Sequence, residues 1–195
     1  MRLASRPLML GMLALGLVGC ASPAPTETFA EMTFRHLPPI QLLVSDVKIE
    51  ATGAPVTQAA NISHLFPTPP DIAMRNWARD RLAARGASAT ATFTIVRADA
   101  TSQKLQTDTG FTGLFKQELS DRYEVQVDAI LTIVDPKTQR RGHVQAKAQH
   151  AATVREDWTL ADRRRIMYEL VEKTMAEFNA EMERNIRAYL RDFAI

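Results

Sequence analysis

The residue with the most chemistry to offer is Cys20, the only thiol among 195 residues. A lone cysteine can be a nucleophile, a metal ligand or the acceptor of a covalent group, and its neighbours decide which. Here it closes the tetrapeptide L-V-G-C, at the end of an apolar run from Leu8 to Val18 that follows Arg2 and Arg6. No histidine stands near it to act as a base. His36, His64, His143 and His150 show neither H-x-x-x-H nor H-E-x-x-H spacing, so no metal site is expected. His143 and His150 have opposite parity and would point to different faces of a strand. His150 shares the apolar parity and reads as a half-buried, hydrogen-bonded residue. There is no G-x-S-x-G elbow and no phosphate-cradling glycine loop. These residues predict no enzyme and no cofactor.

A basic start followed by a short apolar run is the pattern of a secretory signal, here residues 1–19. The run falls short of the ~20 residues a bilayer span needs. Its closing residues, Leu17, Val18, Gly19 and Cys20, resemble the lipobox of bacterial lipoproteins. That resemblance implies cleavage before Cys20, a diacylglyceryl group on its sulfur and acylation of the new amine, with palmitate among the acyl groups. One acyl chain, at ~0.8 kcal/mol per buried methylene, binds a membrane marginally, whereas three anchor it durably. A cysteine so used leaves no disulfide, and the domain must rest on its core alone. Residue 21 is Ala. In enterobacterial lipoproteins Asp at this place retains the protein in the inner membrane. The resemblance therefore implies the outer membrane and the periplasmic side, with the inner membrane as the alternative.

Loss of Arg2 and Arg6, with no acidic residue in the same stretch, takes the formal net charge from +2 to zero. A neutral, secreted chain has no general electrostatic reason to bind nucleic acid. The clusters Arg140-Arg141 and Arg163-Arg164-Arg165 read as solvated turn and helix surface.

The elements that would carry these residues follow from patterning. Residues 20–39, rich in Pro, Thr and Ser, read as the lipidated cysteine and a flexible tether. Residues 40–195 fit a single domain without internal repeats. Ile40 to Ile49 is a strand whose apolar parity shifts between Val44 and Val47, the sign of a bulge. Thr68-Pro69-Pro70-Asp71 predicts a helix start with Thr68 as cap and Pro69 at the first position. Met74, Trp77, Ala78 and Leu82 form its apolar stripe, and Gly86 supplies a left-handed stop. Strands are predicted around Ala89–Ile95, Tyr123–Ile133 and Val144–Ala148, each alternating apolar with polar residues. Thr159 and Asp162 then cap a helix whose stripe runs from Ile166 to Phe193.

The order β-α-β-β-β-α predicts an α+β fold: a four-stranded mixed sheet with both helices on one face. The first two strands should be parallel through a right-handed crossover, and the last three an antiparallel meander. One length conflicts. A helix from Thr159 to Phe193 spans roughly 50 Å, whereas ten-residue strands reach only ~33 Å. Either the helix breaks near Asn179 or Asn185, its end bends back onto the domain, or it overhangs. An overhang would expose Ile186, Tyr189, Leu190 and Phe193 as a partner surface. A second candidate contact is the loop T-D-T-G-F-T-G-L-F-K, where Phe111, Leu114 and Phe115 could meet a membrane, a partner or a lipid tail. The alternative is that they cap an open end of the core.

With these elements in place the chain resembles the YajG-type bacterial lipoproteins. The resemblance rests on the lipobox, on R-L-A-A-R-G before A-T-F-T-I-V, on the long central hairpin and on the terminal amphipathic helix. The family has no assigned catalytic activity. The layout is also similar to auxiliary lipoproteins of MCE-type lipid transporters and to the lipoprotein partner of the lipopolysaccharide translocon. These resemblances imply a non-catalytic envelope component, bound to the membrane and to an envelope protein, in lipid or solute transport. The alternative is a structural lipoprotein that docks an outer-membrane or cell-wall assembly through its terminal helix.

Overall fold

The computed structural model describes residues 28–52, 61–105 and 119–195. Four strands form one sheet: β1 (Ile40–Ala51), β2 (Leu82–Lys104), β3 (Leu119–Asp135) and β4 (Arg140–Arg155), in the spatial order β1-β2-β3-β4. β1 and β2 are parallel, and the other pairs are antiparallel. Helix α1 (Pro70–Arg81) makes the crossover, and α2 (Leu160–Tyr189) follows β4. Trp77 of α1 packs on Phe93 of β2 and on Phe178 of α2, with ring centroids 5.3 and 5.1 Å apart. Both helices therefore cover the same face, as the single stripe on each requires. The β-α-β-β-β-α order and the mixed sheet are those expected from sequence.

The conflict of lengths dissolves because the strands are longer than their apolar centres. β2, β3 and β4 hold 23, 17 and 16 residues. At ~3.4 Å per residue even β4 reaches ~54 Å. The 30-residue α2, at ~45 Å, lies within that span without a break. Asn179 and Asn185 stay helical and hydrogen-bond sideways, Asn185 donating to the Gln145 carbonyl at 2.7 Å.

Beyond Tyr189 the chain hooks back. Ala194 bridges Leu42, Leu43 N–H donates to the Phe193 carbonyl at 2.8 Å, and Ile195 N–H donates to Gln41 at 3.0 Å. The tail thus covers the start of the β1 edge, which would otherwise offer unpaired backbone groups. Gly142 lets the hook seat closely: a Cβ there would lie 2.5 Å from Leu190 Cδ2.

Two local expectations are corrected. Helix α1 starts at Pro70 with Pro69 as its N-cap, and no side chain caps it, so Thr68 does not act as predicted. Gly86 does not stop α1, which ends at Arg81; it lies within β2, against the backbone of Leu43. There β2 bulges between Ala84 and Ala89, and β1 compensates between Val44 and Asp46, close to the parity shift read from sequence. A Cβ at Gly86 would sit 2.6 Å from Val44 N and closer still to Leu43. Close backbone approach, and not helix termination, is what this glycine serves.

The tether reading also changes at its end. Met32 and Phe34 are buried, and residues 29–35 form a strap touching both helices. Phe34 N–H donates to Asp80 at 2.8 Å, and Asn76 donates to the Met32 carbonyl at 3.1 Å. Phe29 stacks on Tyr168 at 5.2 Å, with the Arg164 guanidinium 5.4 Å over its ring. The segment has neither helical nor strand periodicity, so its apolar residues gave no pattern to read.

Candidate functional site

The predicted contact residues fall into three groups. Cys20, Phe111, Leu114 and Phe115 lie outside the described residues. Tyr189 is 75 % exposed on the last turn of α2. Leu190 and Phe193 are 1 % and 8 % exposed and belong to the core, so the overhanging apolar surface does not exist. Ile186 is fully buried as well. Arg140 completes the hook, its guanidinium 5.2 Å over the Phe193 ring and paired with Asp192.

The stems of the 106–118 connection are well defined. Lys104 pairs with Asp121, and Leu105 N–H donates to the Ser120 carbonyl at 3.0 Å. Arg163, in the first turn of α2, gathers this end together. Its guanidinium donates to Asp121 and Ser120, both at 3.2 Å, to the Tyr123 hydroxyl at 3.3 Å and to the Arg155 carbonyl at 3.1 Å. The bonds to Tyr123 and Asp121 hold its pKa above the ordinary arginine value. Arg163 is thus a structural tie and not solvated surface, a correction to the reading of the basic cluster. The capping box of α2 is as expected: Thr159 Oγ1 accepts from Asp162 N–H, and Asp162 accepts from Thr159 N–H at 3.1 Å. The Thr159 hydroxyl holds the Asp162 carboxyl below the usual carboxylate range.

A polar network sits where α1 ends against α2. Asn179 Oδ1 accepts from Trp77 Nε1 at 2.9 Å and from Arg81 Nε at 3.0 Å. Arg81, 1 % exposed, also meets Glu183 at 2.8 Å. Burial lowers the Arg81 pKa, and Glu183 opposes that shift. Its remaining terminal nitrogen, Nη1, has no partner among the described residues. Sequence reasoning missed this site because Asn179 reads as a helix breaker and nothing in the spacing singles out Arg81.

The sheet face opposite the helices is half-exposed and polar. Thr90, Thr92, Thr94 and Thr132 line its middle. Arg97 holds Asp99 through two hydrogen bonds of 2.6 and 3.1 Å. Asp128 is shared by Lys147 at 3.0 Å and Gln145 at 2.7 Å. His150 reaches the other way to Glu177 of α2 at 2.6 Å and is half-buried, as its parity implied. Asp99 and Asp128 are thus already neutralised by cations and an amide, an arrangement suited to solvation and packing. Among the described residues no group of three His, Cys, Asp or Glu could hold a metal ion, and no helix is long and apolar enough to cross a membrane.

Neither a protein-family model nor a curated protein matches the chain. Solved structures similar in outline include the following three. Rare lipoprotein B from Shewanella oneidensis is 10 % identical with a TM-score of 0.36, over 71 % of this chain and 92 % of the other. A DUF330 protein from Xanthomonas campestris is 10 % identical with a TM-score of 0.26, over 78 % and 93 %. A PelC dodecamer from Paraburkholderia phytofirmans is 13 % identical with a TM-score of 0.22, over 72 % and 90 %. Likenesses this low leave the functional reading to the chain's own residues.

Proposed function

We propose that this chain is a lipoprotein of the bacterial envelope, held by lipid on Cys20 in the outer membrane with its domain in the periplasm. It acts by binding, as an accessory component of lipid or solute transport, and catalyses no reaction. The observation that carries the reading is the ordered coincidence of Arg2, Arg6, the apolar run to Val18 and the sequence L-V-G-C. The absence of any second cysteine fits it, because the thiol is left free for the lipid. The alternative, docking through the terminal helix, loses its apolar anchor now that Leu190 and Phe193 are buried.

The test is purification of the full-length chain from its membrane in mild detergent, with mass spectrometry of co-purifying lipids and proteins. Transporter subunits or one enriched lipid class are the expected result. Recovery of a barrel or cell-wall protein alone would overturn the transport role in favour of docking.

A further inference from the structure

We infer which end of the domain faces the bilayer: the end where α2 begins, with the β3–β4 turn pointing away. The inference rests on the lipid-anchor reading, and deepens it by assigning the surface that meets phospholipid. Two observations carry it.

The first is the direction of the strap. Phe34 and Arg35 are tied to Asp80 near the end of α1, whereas Phe29 lies on Tyr168 and under Arg164, in the opening turns of α2. Followed back toward Cys20, the described chain therefore climbs toward the start of α2, where its first described residues lie.

The second is reach. Phe29 lies nine positions after Cys20, a contour of at most about 32 Å. Tyr168, on which Phe29 rests, lies 22 positions before Leu190, or ~33 Å along the helix. The β3–β4 turn lies beyond Gly142, which touches Leu190, and adds further strand length to give roughly 40 Å. A domain standing on that turn would hold Phe29 farther from the bilayer than the chain from Cys20 can span.

Apolarity does not tell the two ends apart, since Leu65, Ile72 and Leu160 are exposed at one and Leu43, Tyr189 and Ile195 at the other; the direction and reach of the strap are what set the pose.

The test uses the lipidated full-length chain in vesicles of phosphatidylethanolamine and phosphatidylglycerol. With Cys20 blocked by lipid, Leu160→Cys or Lys137→Cys gives one reactive thiol for a fluorophore, and both sites are exposed. A lipid-borne quencher then reads proximity to the bilayer. Several-fold stronger quenching at position 160 is expected. Equal quenching, from a domain lying flat or tumbling, overturns the inference, as does stronger quenching at position 137. The mass of the N-terminal peptide separates the two failures. A lipidated Cys20 with the wrong quenching pattern sinks the orientation alone, whereas an unmodified Cys20 sinks the anchor and the orientation with it.

Discussion

Gly86 and Glu183 show how single residues set this fold. At Gly86 two parallel strands approach so closely that a methyl group would strike the backbone of Leu43 and Val44. Backbone cannot yield as a flexible side chain can, so Gly86→Ala should destabilise the domain by about 2 kcal/mol or more. Chemical denaturation checks this, and an unchanged midpoint would mean that the strands separate freely there. Glu183 is the only carboxylate bonded to buried Arg81 among the described residues. Glu183→Ala should cost about 1–3 kcal/mol, since it leaves a buried cation with Asn179 alone. Arg81→Met should cost less, because it removes the charge along with the need for a partner. Equal losses in the two variants would show that Arg81 matters through packing.

At the scale of elements, the terminal hook closes the structure. Leu190→Ser and Phe193→Ser should each lower stability by about 3 kcal/mol, the range for emptying a buried large apolar site. Tyr189→Ser, on the exposed side of the same turn, should leave the melting temperature nearly unchanged. A reversal of that order would restore the overhang. In the sequence the hook stood only as the alternative to an overhang, because no Gly or Pro marks the end of α2 and the apolar stripe runs on through Phe193. The strands were legible at their alternating centres but not at their ends, where Ser102, Gln103 and Lys104 continue the ladder through backbone bonds that need no apolar residue. Element order, parallel and antiparallel pairing and the α2 capping box were legible, because each rests on spacing. The strap, the role of Gly86 and the ties of Arg81 and Arg163 were not, because they rest on contacts between residues 40 to 102 positions apart.

For the whole molecule, acid should loosen the ends before the core. Asp135 is held below the usual carboxylate range by the Thr138 hydroxyl first, then by Lys137 N–H and Ser88, and Asp162 by Thr159. A depressed folded-state pKa contributes stability above the unfolded value and loses it as pH falls through the folded one. The share of stability that these two carboxylates contribute should therefore be complete near neutrality and be lost below about pH 4, read as the denaturation midpoint against pH. On the proposed lipid-anchor reading, the domain's place in the cell depends on Cys20 more than on any feature of the fold. The decisive measurement is the intact mass of the mature chain recovered from bacterial membranes, with its N-terminal peptide sequenced. A chain beginning at Cys20 and carrying a diacylglyceryl thioether plus an amide-linked acyl group is the predicted result. A chain with a free Cys20 thiol, recovered in the soluble periplasmic fraction, would contradict the account.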